Sequence, residues 1–323
     1  MKNMSNNNSL IKKLIFKLIK KHILGSTLNS AVKNIRELNS RGFNTTITFL
    51  NDYVTDSSKA RYNINTYMQL LRQISKFNLN ISVSLRLSQI GYNIDRNLLK
   101  GLEEIIELSN KLKVNLWLEA GYNIDINSLI KIYKKYKPKS KYLGIEIPIQ
   151  FKKIENYFDN TDKVKLSIYK NISNIPIDKD MMQKPAALTK SESKIQKTNQ
   201  SKKEKPGHMQ IAESINTIKK LSNKGLKLTL FIHNLGLATK IFKDIKENEY
   251  RKNLIFELPL DNYSKKRFKM IKMNKISIYA PYGKDLIPYA VDRLVDGYIK
   301  DIAITILNGR YTKYNKPMNI YEK

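Results

Sequence analysis

A chain of 323 residues without cysteine has room for one large barrel or two medium domains, and it excludes disulfides, thiolate metal sites and cysteine nucleophiles. Its histidines are only His22, His208 and His233, which argues against a multi-histidine metal centre. The net charge of +31 comes from 59 Lys+Arg against 28 Asp+Glu, but the lysines are spread among Asn and Ile along almost the whole chain, so the excess reads as compositional bias before it reads as a nucleic-acid footprint.

Residues 1–9 are polar and carry no periodicity. Leu10–Leu24 sets Leu10, Ile11, Leu14, Ile15, Leu18 and Ile19 on one helical face, opposed by Lys12, Lys13, Lys17, Lys20 and Lys21. Such a basic amphipathic helix suits either an anionic membrane surface or packing on the protein body. Lysines interrupt its apolar residues throughout, unlike a cleaved signal. No apolar run reaches the length needed to cross a bilayer.

An alternation follows. Short β-branched runs fall at Asn44–Leu50, Asn80–Leu87, Val114–Glu119, Tyr142–Ile149, Lys163–Ile168, Leu226–His233, Asn253–Leu260 and Lys275–Ala280. Helical patterns lie between most of them, at Tyr62–Phe77, Arg96–Lys111, Asn127–Tyr136, Ile211–Lys224 and Leu237–Glu249. Strands alternating with helices predict parallel pairing, and this number of strands closes a (β/α)8 TIM-like barrel. The competing architecture is an open doubly wound sheet, but no glycine-rich phosphate loop follows any strand. Asn174–Gln210, rich in Lys, Ser, Gln and Pro, reads as a disordered basic insertion between the fifth and sixth strands. The expected organisation is a polar tail and amphipathic helix over 1–26, then a barrel over 27–323 interrupted at 174–210.

A barrel of this kind carries its chemistry at the C-terminal ends of its strands. The polar residues expected there are Arg86, Glu119, Glu146, Lys165, His233, Glu257 and Tyr279, with Arg293 on the last helix. Cations at a barrel mouth suit a phosphorylated cofactor and an anionic substrate. Glu119 and Glu257 also admit a paired-carboxylate glycosidase reading, subject to their separation. The stretch Ile276–Asp296 is a β-branched run, a Pro281-Tyr-Gly283 turn and an amphipathic helix. Tyr279 falls at the strand end, while Tyr289, Arg293 and Asp296 share one helix face. An arginine fork with two phenols is suited to gripping a small carboxylate.

Four stretches are similar to those of monofunctional, flavin-dependent proline dehydrogenases. Leu85-Arg-Leu-Ser-Gln-Ile-Gly91 resembles the family's Val-Lys-Leu-Ser-Gln-Leu-Gly, and Val164-Lys-Leu166 its Val-Arg-Leu. Phe231-Ile-His-Asn234 resembles Ala-Thr-His-Asp/Asn, and Tyr279-Ala-Pro-Tyr-Gly283 with the following helix resembles Tyr-Val-Pro-Tyr-Gly and its Arg-Arg-Leu continuation. The order is kept over about Ser30–Arg310, leaving out the insertion. The resemblance implies FAD across the barrel mouth, oxidation of L-proline or a related cyclic or secondary amine to pyrroline-5-carboxylate, and a quinone or other electron acceptor. It also implies that Arg293 grips the substrate carboxylate, that Tyr279, Tyr289 and Arg86 shape the substrate pocket, and that His233 and Lys165 contact the flavin. It assigns no catalytic acid or base and no metal.

Several positions depart from the family pattern. Asp292 replaces one arginine of the pair, Trp117 replaces an acidic residue, Glu146 replaces a glutamine, and Arg86 and Lys165 exchange a lysine and an arginine. Trp117 and Asp292 support a second reading, a barrel homologue that has lost proline oxidation and serves in binding or regulation. A third reading is a basic protein that binds nucleic acid or a membrane surface; the chain has no RNA-binding aromatic motif, zinc finger or helix-turn-helix signature, and nucleic acid is not the expected partner. The expected location is cytoplasmic, with peripheral contact at the inner membrane face through residues 10–24 as the second option.

Overall fold

The computed structural model describes residues 22–51, 54–92, 94, 99–121, 124–168, 206–232, 235–245, 253–260 and 276–285. In chain order these form α1 (Leu28–Ser40), β1 (Asn44–Leu50), α2 (Ser57–Lys76), β2 (Ile81–Arg86), α3 (Leu99–Leu112), β3 (Asn115–Glu119), α4 (Ile126–Tyr136), β4 (Leu143–Pro148), β5 (Lys163–Ile168), α5 (Pro206–Asn223), β6 (Lys227–Ile232), α6 (Leu235–Ile245), β7 (Leu254–Pro259) and β8 (Ile276–Gly283). The strands pair in sequence order, all parallel, and β8 returns to β1. The sheet is therefore closed, not open and doubly wound.

Local chemistry explains the starts of the helices. Thr27 caps α1: its hydroxyl accepts from the Ser30 N–H at 3.2 Å, while the Ser30 hydroxyl accepts from the Thr27 N–H at 3.2 Å. Asp56 caps α2 by accepting from the Lys59 N–H at 2.9 Å, and Asp125 caps α4 through Ser128 in the same way. Ala60, Ile64, Tyr67, Leu70, Leu71 and Ile74 then give α2 one buried face at helical spacing. Each such aliphatic side chain contributes about 1.5–3 kcal/mol of burial.

Strand alternation separates two cores. Ile47, Leu85, Leu118, Ile145, Ile147, Leu166, Leu230, Phe256 and Ile278 lie in the apolar layer shared with the helices. The intervening residues, among them Thr46, Ser84, Trp117, Glu119, Glu146, Lys165, Glu257 and Tyr279, point into the barrel and are buried there.

Three local expectations are corrected. Pro281-Tyr-Gly283 is not a turn: it continues β8, with Thr48, Phe49 and Leu50 of β1 opposite Pro281, Tyr282 and Gly283. The Pro281 carbonyl accepts from the Leu24 N–H at 2.8 Å, because β7 has already ended at Pro259, so the missing proline N–H falls beyond the β7 ladder. Gly283 has φ +139°, and a Cβ there would lie 2.7 Å from the Leu50 carbonyl oxygen, so the close approach to β1 requires glycine. Tyr279 consequently sits mid-strand rather than at its end. The link from β4 to β5, where the sequence named no helix, holds a 3-10 turn, Ile154–Asn156. Finally, α5 begins at Pro206, within the stretch read as insertion, and α1 lies outside the helical patterns named from the sequence.

No helix among the described residues is long and apolar enough to cross a membrane.

Candidate active site

The exit of β2 is built first. Gln89 is fully buried in the 3-10 turn after the strand and accepts from the Arg86 N–H at 3.1 Å. Its amide donates to the Phe49 carbonyl of β1, and the Tyr67 hydroxyl of α2 donates to its side-chain oxygen. Asn63 of α2 adds a bond to the Gln89 carbonyl at 2.8 Å. The Leu-Ser-Gln segment is thus a brace between two strands and a helix, and it fixes the direction of Arg86.

From that brace, Arg86 Nε donates to Glu119 Oε2 at 3.0 Å. The Ser84 hydroxyl donates to Glu119 Oε1, and the Tyr279 hydroxyl reaches the same oxygen at 3.4 Å. Burial acts to raise the Glu119 pKa, but the Arg86 charge, the Ser84 hydrogen bond and the Lys165 charge outweigh it and hold the carboxyl below its ordinary value. Deeper in, Lys165 is completely buried and donates to Glu257 Oε2 at 2.6 Å. The Thr46 hydroxyl donates to Glu257 Oε1 at 2.5 Å. Three rings surround the same ammonium: Trp117 at 4.8 Å, Tyr279 at 5.6 Å and Phe231 at 5.8 Å from their centroids. Phe231 and Tyr279 stack on each other at 4.5 Å.

Glu119 is therefore satisfied by one cation and two hydroxyls, and Glu257 by one cation and one hydroxyl. A third, Glu146, is not. It is buried, its Oε2 has no hydrogen-bond partner, and Lys165 Nζ lies 3.9 Å away, beyond hydrogen-bond reach. Burial, reinforced by the Glu119 charge, pushes its pKa well above the ordinary value. Burial likewise pushes the Tyr279 phenol up, again with Glu119 adding to it, so Tyr279 stays protonated at neutral pH.

Trp117 has a structural counterpart. A Cβ on Gly144, its partner across β3 and β4, would lie 2.5 Å from Trp117 Cζ3 and 2.6 Å from Cε3. The indole fills the volume left by the absent side chain at 144. The charges above it remain matched without a carboxylate at 117, because Glu119 and Glu257 take the two cations.

Of the residues expected from the sequence, Arg86, Lys165 and Tyr279 do come together inside the barrel, joined by Glu119, Glu146 and Glu257. Lys165 lies within its strand, on Glu257, rather than at the rim. The Glu119 and Glu257 carboxyls are each held by a cation, Arg86 and Lys165 respectively. His233, Tyr289, Asp292 and Arg293 lie outside the described residues. Gly144 and Thr46 belong to the site without having been singled out, and only their inward position on a strand signals them; Phe231 and Gln89 fall inside the quoted motif stretches without having been given a role.

No family model matches the chain. Proline dehydrogenase 2 of Bacillus subtilis strain 168 is 25% identical over 145 residues, which is 45% of this chain and 48% of that protein. Proline dehydrogenase 1 of the same strain is 26% identical over 129 residues, 40% of this chain and 43% of that protein. The chain thus spans about half the length of the curated relatives it matches. Among solved structures, proline utilization A from Bdellovibrio bacteriovorus, inactivated by N-propargylglycine, superposes with a TM-score of 0.67 at 14% identity, covering 95% of this chain and 35% of that one. A mutant of proline utilization A from Bradyrhizobium japonicum gives a TM-score of 0.58 at 13% identity, covering 87% and 31%. At these identities the structural likeness speaks for the barrel alone. In sequence, the chain is similar to the two proline dehydrogenases over less than half of its length.

Proposed function

We propose that the chain is a flavin-dependent oxidoreductase of the proline dehydrogenase type, oxidising L-proline to pyrroline-5-carboxylate, or a related cyclic or secondary amine to the corresponding imine. The observation that carries this reading is the charged and aromatic cluster inside a closed parallel barrel, formed by Arg86, Glu119, Glu146, Lys165, Glu257, Phe231 and Tyr279, in a chain whose curated relatives bear that name.

The residues present fit a flavin. Its ring is flat and apolar on its faces, and carries hydrogen-bonding groups along one edge. The stacked Phe231–Tyr279 pair offers an apolar wall, and Glu146 Oε2 is a buried polar atom without a protein partner. FAD, when bound, supplies the hydride acceptor. The protein's own work is to hold and orient. Arg86, fixed by Gln89 and Glu119, contributes positive charge at the end of β2. Tyr279, kept protonated, lends its ring to the pocket. Lys165 supports the cluster from within through Glu257. By resemblance, His233 is assigned to the flavin, Arg293 to the substrate carboxylate and Tyr289 to the pocket wall.

The purified protein, reconstituted with FAD, is expected to show a flavin absorbance band that L-proline bleaches. A band that proline leaves intact points to another amine. A colourless protein indifferent to FAD overturns the reading. Asp292 is expected to weaken the carboxylate grip by placing an anion beside Arg293. Asp292→Arg should therefore tighten L-proline binding by about 1.5 kcal/mol, roughly tenfold. Unchanged affinity in that variant places the substrate pocket elsewhere. We also assign a quinone or similar acceptor, and peripheral contact with anionic membranes through Leu10–Leu24. Salt-sensitive co-sedimentation with anionic vesicles tests the second, and its absence removes it.

A further inference from the structure

The described interior of the barrel holds three carboxyls, Glu119, Glu146 and Glu257, against two cations, Arg86 and Lys165. Both cations are committed. Arg86 is bonded to Glu119, and Lys165 donates to Glu257 at 2.6 Å. An unpaired buried carboxylate is among the costliest groups a protein can hold, and it takes up a proton instead. Glu146 is the member left without a hydrogen bond: its Oε2 is buried with no hydrogen-bond partner, and its ion-pair contact among the described residues is Lys165 Nζ at 3.9 Å, an ammonium that Glu257 already engages at 2.6 Å. Its strand neighbours Ile145 and Ile147 point the other way, into the helical layer, so the carboxyl cannot turn outward without breaking the β4 alternation.

A protonated carboxyl without an acceptor is a hydrogen-bond donor held in reserve. Resting on the flavin reading above, we propose that Glu146 carries a proton in the resting protein and donates it in a hydrogen bond to a carbonyl or ring nitrogen on the edge of the bound flavin. The groups facing Glu146 set the proton's position. Arg86 on β2 and Lys165 on β5 favour its release, while Glu119 on β3 and Glu257 on β7 oppose it, and burial opposes it most of all. Tyr279 on β8 is held neutral and adds no charge. A carboxyl kept neutral in this way offers the flavin a donor that ionisation would turn into a repelling anion.

FAD affinity and the midpoint potential of the bound flavin, measured from pH 6 to 9 in wild type, Glu146→Gln and Glu146→Leu, test the proposal. Gln keeps a donor that does not titrate. Wild-type affinity is expected to fall by about tenfold per pH unit once the carboxyl ionises. Glu146→Gln should bind at all pH values with a flat profile, and Glu146→Leu should bind more weakly throughout. Equal FAD affinity in Glu146→Leu, wild type and Glu146→Gln overturns the role of Glu146 while leaving the flavin reading intact. If none of the three binds FAD, the flavin reading fails and takes this proposal with it. The ligand-free proteins give an independent reading of the proton. A raised carboxyl pKa contributes stability that is full below the ordinary value of 4.5 and is lost as pH rises toward the folded-state value. The Tm of Glu146→Gln should therefore gain on that of wild type as pH rises from 4.5 through neutrality. A Tm difference that stays constant with pH shows that no proton is held there and overturns the proposal.

Discussion

Glu257→Leu is expected to destabilise the protein by about 3–5 kcal/mol, the cost of leaving one charge of a buried pair without its partner. Lys165 is fully buried and Glu257 is 1% exposed, so water cannot replace the lost carboxylate. The substitution also strands the Thr46 hydroxyl, which donates to the same group. The aromatic rings around Lys165 attract its charge but accept no strong hydrogen bond, so they offset only part of the loss. Urea unfolding should show the loss as a lower midpoint with an unchanged slope. Lys165→Met combined with Glu257→Leu should recover most of it, because an apolar pair of similar volume carries no desolvation cost. A loss under about 1 kcal/mol means that another group takes the ammonium. Glu146 Oε2, 3.9 Å from Lys165, is the nearest such group, and the loss should reappear in a Glu146→Gln background.

Gly144→Val is the second large effect. The first added carbon would lie 2.5 Å and 2.6 Å from the Trp117 ring and 3.2 Å from Lys163 Cβ, so the indole must move before a valine fits. Overpacking of this kind costs about 3 kcal/mol in a closed interior. Trp117→Ala alone leaves a cavity in the same place and costs about 3–5 kcal/mol. The two together should cost less than their sum by at least about 1 kcal/mol, since the valine occupies part of the space that the indole vacates. Strict additivity in thermal or urea unfolding would show that Trp117 and Gly144 do not share one volume. Gly144 leaves the volume that the indole fills, so the barrel is shaped around Trp117.

Much of the barrel was legible in the sequence. Strands β1 and β5 match their predicted spans residue for residue, and the other strands begin within a residue of theirs, because β-branched runs bounded by polar turns carry their own signal. Strand β8 was cut short at Ala280, since proline and glycine read locally as a turn. What keeps Pro281 in the strand is the end of β7 and the arrival of Leu24 from a distant part of the chain, and neither is a local property.

The site divides in the same way. Residue types and strand positions are enough to place Arg86, Glu119, Glu146, Lys165, Glu257 and Tyr279 inside one barrel, because inward positions alternate along each strand. Their partners are another matter. Thr46 and Glu257 lie 211 residues apart, and Lys165 and Glu257 lie 92 apart, so no spacing rule joins them. Closure of the sheet alone brings them within hydrogen-bond distance. By itself, then, the sequence determined the alternation, the fold class and the charged residues that face inward, since these follow from local pattern and composition. The tertiary structure alone decided which carboxyl each cation takes, and left Glu146 the one among the three without a cation of its own, because pairing in a buried space is settled by distance and by the cost of an unmatched charge.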